Sequence, residues 1–284
     1  MKLIAALVCA AAAIQAGESL GVTVAARSIQ PGELVVLAVT TPAPADRVQV
    51  RALDKDVPAY RENERTWRAL IGIDLDMTPG IHVAVIDAQI GKHKLHATYD
   101  LDVQPKDLAT RTLRVDEAYV NPPSEVQARI ERDAADLRRV WQSSAPDRLW
   151  TGAFVRPVPG EAVSRFGTRS IFNGQARSPH NGGDFMSPAG TPIAAPNAGR
   201  VALAHDLYFS GNTVVIDHGF GMFSTLAHMS EIDVREGEMV KAGQVVGRVG
   251  ATGRVTGPHL HWAVRIGGAR VDPLSVLAVL GTRP

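Results

Sequence analysis

The sequence predicts a mostly β protein in which two β domains are joined by a helical connector. Short runs of aliphatic and β-branched residues recur over 20–104 and again after residue 160, separated by turn residues such as Pro31-Gly32. Between these regions lies a single stretch of helical periodicity. We therefore expect an immunoglobulin-like β-sandwich over 20–104, a linker over 105–150 and an antiparallel β domain with a groove over 151–284.

Residues 1–16 have the layout of a secretory signal peptide. Lys2 precedes an apolar run from Leu3 to Ala13, which is too short to span a membrane, and small residues follow before Gly17. Val8 stands where a small residue normally precedes a lipidated cysteine, so we expect Cys9 to carry no lipid. Cleavage near Ala16 leaves a mature chain without cysteine, hence without disulfides or thiolate ligands, in the periplasm or outside the cell.

The composition of the chain is sufficient for two hydrophobic cores of ordinary size, and its balanced charge argues against a nucleic-acid partner. The chain has 284 residues, of which 45% are hydrophobic. Loss of Lys2 with the leader leaves 29 basic and 29 acidic residues. A nucleic-acid-binding protein is expected to show a basic excess on one face, so we predict no nucleic-acid partner. We also predict no membrane span in the mature chain.

The first β region contains six predicted strands and three histidines. The strands are Val22–Val24, Leu34–Val39, Val48–Val50, Ala69–Ile73, His82–Ile86 and Tyr99–Val103. No carboxylate stands beside His82, His93 and His96 on a plausible shared face, so we assign these histidines no chemistry.

The linker predicts a helix over about 124–143. Ser124 and Gln127 form a capping-box pattern after Pro122-Pro123. One apolar stripe follows at steps of three and four residues, formed by Val126, Ile130, Ala134, Leu137 and Trp141. We expect this stripe to pack on a neighbouring domain and the helix to set the angle between the two β domains.

The second β region predicts five strands joined by tight, glycine-rich turns. They are Val201–Ala204, Thr213–Asp217, Met222–Leu226, Gln244–Val249 and Trp262–Ile266. No helical period appears between them. Glycines near the groove allow a substrate backbone to approach closely.

Two histidines mark the start of the last strand, in Gly257-Pro258-His259-Leu260-His261-Trp262. Side chains at positions i and i+2 of a strand share a face, with Cα atoms roughly 6.5 Å apart. Both imidazoles therefore point into one site. One can bind a metal while the other stands over an open coordination position.

Further candidate ligands lie upstream. His180 and Asp184 flank the short turn Asn181-Gly182-Gly183, so both can fold back on one ion, and His228 ends a predicted strand. With one histidine of the later pair, the chain offers three ligands and leaves a fourth tetrahedral position for water. Nitrogen and oxygen donors without thiolate suit zinc, while other divalent metals remain open.

These motifs together resemble the lysostaphin-type zinc metallopeptidases that cut peptidoglycan cross-bridges. The resemblance covers about Ser164 to Leu280 and rests on Ser178-Pro179-His180-Asn181-Gly182-Gly183-Asp184-Phe185, Leu226-Ala227-His228 and Gly257-Pro258-His259-Leu260-His261-Trp262. It implies that His180, Asp184 and His261 bind Zn2+, that His228 and His259 assist catalysis and that His218 supports the fold. Some relatives also carry an oxyanion-assisting tyrosine before the first motif, and none stands between Phe166 and His180.

The resemblance implies an endopeptidase acting on peptidoglycan peptides, with D,D-endopeptidase activity expected. The main alternative is a catalytically silent scaffold that binds the cell wall or activates an amidase; members of that kind have usually lost some of the five site residues. A biotinyl or lipoyl carrier is disfavoured because Lys241 lacks flanking methionines. All five residues lie between His180 and His261, so we expect a fragment beginning near Asp147 to retain the chemistry.

Overall fold

The computed structural model describes residues 19–114, 116–164 and 166–281. The predicted leader and Cys9 lie outside this range. Among the described residues, no helix combines the length and the apolar character needed to cross a membrane.

The N-terminal domain consists of two four-stranded antiparallel sheets packed face to face. Its strands are β1 (Gly21–Ala26), β2 (Leu34–Thr40), β3 (Arg47–Ala52), β4 (Lys55–Val57), β5 (Ala59–Arg61), β6 (Thr66–Gly72), β7 (Gly80–Ile90) and β8 (His93–Val103). The order is β1-β2-β6-β5 in one sheet and β4-β3-β7-β8 in the other. Apolar residues from both inner faces form one core, which confirms the predicted sandwich.

Strand β2 is buried on both faces. Val35, Leu37 and Val39 point into the sandwich core, whereas Leu34 and Val36 belong to the core of the C-terminal domain. This explains why the sequence of β2 is a continuous apolar run rather than an alternating one. Because burial of each such side chain is worth about 1.5–3 kcal/mol, the outer face of β2 holds the two domains together.

The linker forms a short strand, a 3-10 turn and a long helix, which are β9 (Thr110–Leu113), Glu117–Tyr119 and α1 (Ser124–Gln142). The helix lies where the periodicity predicts it, but the expected capping box is wrong. Pro123 is the N-cap residue and makes no side-chain cap, and Gln127 Nε2 instead donates to the Pro122 carbonyl at 3.1 Å. A proline at the N-cap fixes an extended backbone and leaves Ser124 already inside the first turn.

Part of the predicted helical stripe covers the C-terminal domain. Leu137 and Trp141 pack with Val140 against a small apolar cluster of that domain. The rings of Trp141 and Phe223 meet edge to face with centroids 5.1 Å apart. The stripe therefore docks α1 on the second domain.

The C-terminal domain is built on one large antiparallel sheet. Its elements are β10 (Ala162–Ser164), β11 (Arg169–Phe172), β12 (Gln175–Ala176), β13 (Gly182–Phe185), β14 (Pro192–Ala194), β15 (Gly199–Leu207), β16 (Gly211–Gly219), β17 (Met222–Ile232), β18 (Met239–Val240), β19 (Val245–Val249), β20 (Leu260–Ile266), β21 (Ala269–Val271) and α2 (Pro273–Leu280). The main sheet runs β10-β13-β20-β17-β16-β15-β18. Strand β9 of the linker pairs in parallel with β11 and completes a second, three-stranded sheet.

Helix α2 is an element that the periodicity does not predict, because its eight residues are apolar on nearly every side. It packs between the two domains, where Ser275 Oγ accepts a hydrogen bond from the Leu34 backbone N–H at 2.9 Å. Asp272 caps the helix by accepting from the Leu274 N–H at 3.0 Å, and Pro273 occupies the first turn. This Asp-Pro pair is the sequence signal that identifies the start of the helix.

A buried carboxylate joins the sandwich, the linker and the C-terminal domain. Glu33 is 1% exposed and accepts from Arg27 at 2.7 and 3.0 Å and from Lys106 at 2.9 Å. Arg27 also donates to Asp272 at 2.6 Å. Burial acts to raise the pKa of Glu33, but the hydrogen bonds from Arg27 and Lys106 outweigh it and hold this pKa below its usual value near 4.5.

We predict that Glu33→Gln destabilises the protein by about 2–3 kcal/mol at pH 7, because Arg27 and Lys106 lose their shared buried carboxylate. The cost is moderate because the Arg27 side chain keeps partial access to water. Since the pKa of Glu33 is lowered on folding, its contribution is complete above about pH 4.5 and is lost as the pH falls through the folded-state pKa. Urea unfolding at several pH values should show the gap between wild type and variant narrowing below pH 4.5.

The matched control is Glu62→Gln, which breaks the exposed Glu62–Arg68 pair at 2.7 Å and should change stability by less than about 1 kcal/mol. Equal effects of the two substitutions would contradict the role given to Glu33.

Candidate metal and catalytic site

The register of three adjacent strands brings the sequence-predicted site residues together. In the β13–β20 pair Asp184 lies directly opposite His261, and in the β20–β17 pair His261 lies opposite Ala227, the residue before His228. His259 precedes β20 and forms a bridge with Gly250. Residues far apart in sequence thus meet on one face of the sheet.

Three of the predicted residues direct ligand atoms at one point. His180 Nε2 lies 3.0 Å from Asp184 Oδ1, His261 Nδ1 lies 2.9 Å from the same oxygen, and the two nitrogens are 3.1 Å apart. These residues form a group able to hold a metal ion. A tetrahedral ion with bonds of about 2.0–2.2 Å separates its ligands by roughly 3.4 Å, so a small outward movement of each atom accommodates it.

The electrostatics of the triad favour a cation. The side chains of His180, Asp184 and His261 are 12%, 15% and 14% exposed. Burial acts to raise the pKa of Asp184, but the adjacent His180 and His261 rings outweigh burial and hold this pKa well below its usual value. Burial also lowers the pKa of His261. The site therefore offers an ionised carboxylate and a neutral imidazole at neutral pH, the forms in which these groups bind metal.

Two residues of the intervening turn orient His261. Its second ring nitrogen, Nε2, donates to Asn181 Oδ1 at 3.2 Å, which leaves Nδ1 unprotonated and turned toward Asp184. Gly182 lies beneath the ring: a Cβ there would stand 2.5 Å from the Trp262 carbonyl and 2.7 Å from His261 Cε1. Sequence reasoning missed Asn181, although its position next to His180 is the signal for it.

His228 and His259 flank the triad with matching ring orientations. His228 Nδ1 donates to the Thr252 carbonyl and His259 Nδ1 to the Gly257 carbonyl, both at 2.9 Å. The centroids of the His228 and His259 rings lie 5.0 Å apart. His259 Nε2 is 3.6 Å from Asp184 Oδ1. A ring that carries its single proton on Nδ1 keeps Nε2 as a hydrogen-bond acceptor.

The backbone at His228 adopts the left-handed region, with φ of +66°. Such a conformation costs a non-glycine residue about 1–3 kcal/mol and persists where the surroundings impose it. Here the His228 N–H donates to the Ser210 carbonyl at 2.9 Å, and β17 is irregular in its pairing with β16. Burial, with the charges of His261 and His259, lowers the pKa of His228 to about 3.

An open cleft of about 460 Å³ lies over the five residues. Its walls come from the β15–β16 turn, from the loop between β19 and β20, and from the linker, which contributes Arg111 and Leu113. The five site residues all lie after Asp147, whereas the cleft also takes part of its wall from residues before it.

Two histidines outside the site, His218 and His96, have structural partners. Buried His218 lies between the Ala198 carbonyl at 2.8 Å and Ser224 Oγ at 3.0 Å, and burial lowers its pKa to about 4. His96 does have a neighbouring carboxylate, Asp87 at 3.0 Å, contrary to expectation. Both side chains are 60% exposed, and this cross-strand pair belongs to no candidate metal group among the described residues.

The fold and the site together define a mostly β protein with a candidate histidine–carboxylate metal site in an open cleft. Comparison with known proteins identifies the family. The profile of Peptidase family M23 matches residues 178–273. A crystal structure described as a peptidase M23 from Pseudomonas aeruginosa is 35% identical, covers 88% of this chain and 96% of that chain, and superposes with a TM-score of 0.68. The chain belongs to peptidase family M23, which confirms the lysostaphin-type resemblance.

The chain spans only part of the length of the curated relatives that it matches. The peptidoglycan DD-endopeptidase ShyA of Vibrio cholerae is 34% identical over 145 residues, which are 51% of this chain and 31% of ShyA. The DD-carboxypeptidase/endopeptidase Mpg of Neisseria meningitidis is 43% identical over 97 residues, 34% of this chain and 22% of Mpg. The chain thus spans less than a third of either relative.

We predict that Gly182→Ala lowers zinc affinity by at least about tenfold, because the new Cβ displaces the His261 ring. Gly257→Ala is the control for metal binding, since a Cβ there meets nothing within 4 Å. Competition with a chromophoric chelator measures both affinities. Equal affinity in the two variants would show that the ring tolerates the methyl group.

Asn181→Ala should weaken zinc binding by about 10- to 100-fold, the usual effect of removing a partner that orients a ligand. Asn181→Asp keeps an acceptor oxygen and should restore most of the affinity. The 15N chemical shifts of the His261 ring report its tautomer directly. Retention of the Nε2–H tautomer and of full affinity in Asn181→Ala would overturn this assignment.

Proposed function

We propose that the chain is an exported zinc-dependent endopeptidase that hydrolyses amide bonds in peptidoglycan peptide cross-bridges, with D,D-endopeptidase activity. The observation that carries the proposal is the convergence of His180 Nε2, Asp184 Oδ1 and His261 Nδ1 within 3.1 Å of one another beside two further histidines in an open cleft. The names of ShyA and Mpg supply the substrate class.

Zinc suits this donor set. Two imidazole nitrogens and one carboxylate oxygen, with no sulfur, make three protein ligands and leave one position for water or substrate. When bound, zinc would polarise an amide carbonyl as a Lewis acid and would lower the pKa of a water molecule toward neutrality. Ordered donors around the triad match this role, because Asn181 holds His261 with Nδ1 toward the ion.

His228 and His259 contribute differently to the proton transfer. Each holds its Nδ1–H on a backbone carbonyl and presents Nε2 to the cleft. Because burial lowers the pKa of His228 to about 3, we assign acceptance of the proton from the attacking water to His259, while His228 Nε2 accepts a hydrogen bond from that water and orients it. A ring that has gained this proton becomes a donor at Nε2 and can pass it to the leaving amine. His259 is the nearer of the two to the triad, at 3.6 Å from Asp184 Oδ1.

The cleft over the triad has a volume of about 460 Å³, and we assign an extended peptide to it. The cross-link of D-alanine to diaminopimelate is the bond we assign to it. The leader predicted over 1–16 would deliver the enzyme to the periplasm or cell exterior, where such a substrate is found.

The silent-scaffold alternative predicts metal binding without turnover. Its discriminating measurement is hydrolysis of purified peptidoglycan by protein that contains one zinc per chain, with fragments weighed by mass spectrometry. Release of peptides cut at the D-alanyl bond supports the enzyme; intact cross-links at full zinc occupancy support the scaffold.

We predict that single alanine substitutions separate ligands from proton carriers. His180→Ala, Asp184→Ala and His261→Ala each leave two protein donors, so zinc affinity should fall by several orders of magnitude, with loss of activity. His228→Ala and His259→Ala should keep near-stoichiometric zinc while turnover drops by roughly 10²- to 10⁴-fold.

Metal content per chain, measured beside hydrolysis of a soluble cross-linked muropeptide, decides between these groups. Zinc loss in His259→Ala with retention in His261→Ala would reverse the assignment within the central pair. Equal zinc loss in both would indicate four protein ligands and a structural site.

A further inference from the structure

One wall of the cleft is strongly cationic. Three arginines line it, Arg111 from β9, Arg177 from the segment after β12 and Arg254 from the loop before His259. The only carboxylate in the described lining is Asp184, which faces the three histidines. Among the described lining residues, no carboxylate lies within ion-pair distance of Arg177 or Arg254 beside the proposed metal centre.

Arg254 contacts two aromatic rings of the cleft wall. Its backbone N–H donates to the Phe209 carbonyl at 2.8 Å. Its guanidinium carbon lies 5.1 Å from the centre of the Phe172 ring and 5.0 Å from that of Phe209. Cation–π contacts of this kind pair the guanidinium group with no anion, so its N–H donors stay available for a planar carboxylate.

Neither Arg254 nor Arg177 has an ion-pair partner among the described residues. Arg177 donates to the Gln175 side chain at 2.8 Å and to the Val120 carbonyl, while its buried Nε has no hydrogen-bond partner there. The nearby carboxylate of Glu117 accepts from Asn173, at 2.9 Å, and from Asn121, and it feels the charge of Arg177 without forming an ion pair with it. Burial lowers the pKa of Arg254, and the charge of Arg177 lowers it further.

Two like charges placed together in a partly buried wall repel each other and lose hydration. A bound anion relieves both effects, because a carboxylate can accept two parallel hydrogen bonds from an arginine fork. An arginine that merely supported the fold would be expected to lie on one of the chain's own carboxylates, as Arg27 and Arg270 do.

We propose that Arg254, assisted by Arg177, forms a subsite for a free carboxylate of the substrate peptide next to the amide that is cut. This inference rests on the proposed function and adds a specificity determinant to it. In a D-alanyl-diaminopimelate cross-link, the diaminopimelate carbon that is bonded to the amide nitrogen also carries a free carboxylate. This group is an α-carboxylate with respect to that nitrogen. A glycine cross-bridge has no carboxylate there and would leave Arg254 unpaired.

The first test compares two forms of one soluble cross-linked muropeptide, with that α-carboxylate free or converted to the carboxamide. Wild-type, zinc-loaded protein should cut the free form with a kcat/KM about 10- to 100-fold higher. Arg254→Gln should lower kcat/KM for the free form alone and abolish the preference, with zinc content unchanged. Arg254→Lys keeps the charge but not the fork and should retain part of the preference.

Arg235→Gln is the matched control, because Arg235 is an exposed arginine of the same domain outside the cleft. It should leave the preference at its wild-type value. Equal cleavage of the two forms by the wild type, or an equal loss on both in Arg254→Gln, would overturn the subsite while leaving the proposed endopeptidase intact.

A binding measurement separates failure of the subsite from failure of the proposed function. The probes are N-acetyl-D-alanyl-D-alanine and its carboxamide, titrated into zinc-loaded wild type and Arg254→Gln and followed by NMR. The subsite predicts tighter binding of the acid, with a difference reduced about 10- to 100-fold in the variant. Zinc–carboxylate attraction is common to both proteins, so an unchanged difference counts against Arg254 even if neither protein cuts any substrate.

Discussion

The hydrogen-bonded register of β13, β20 and β17 is the constraint on which the site depends. It places Asp184 opposite His261 and His261 beside the segment that carries His228. A slip of one residue in either pair would turn His261 or Asp184 to the other face of the sheet and dismantle the triad. The glycine of the turn serves this register, since only a residue without Cβ allows the His261 ring to lie over Gly182.

Support for the register comes from burial on the opposite face. Trp262, next to His261, is fully buried, and its indole N–H donates to Ser224 Oγ at 3.2 Å. The same hydroxyl contacts buried His218. The alternation of β20 thus separates an apolar, hydrogen-bonded inner face from a polar face that holds the ligands.

The N-terminal sandwich and linker are integrated with this domain rather than attached to it by a flexible tether. Strand β2 contributes to two cores, α2 packs against it, and ion pairs such as Arg270–Asp74 at 2.6 Å cross the boundary. The pairing of β9 with β11 then carries Arg111 into the cleft wall. The upstream half of the chain therefore shapes the surface that a substrate meets, while the residues assigned to the chemistry all lie downstream.

The sequence by itself determined the mostly β fold, the place of α1 and the candidate residues His180, Asp184, His228, His259 and His261. These are local properties: alternating or helical periodicity reports the element, and short spacings report residues that share a face. Only the tertiary structure decided what depends on contacts between distant segments. The tautomers of His228 and His259 follow from the Thr252 and Gly257 carbonyls, and α2 follows from burial between two domains. The arginine wall follows from one strand and two loops that meet in space. No periodicity in the chain encodes such meetings, because the atoms that decide them are brought together by strand register and core packing rather than by neighbourhood in sequence.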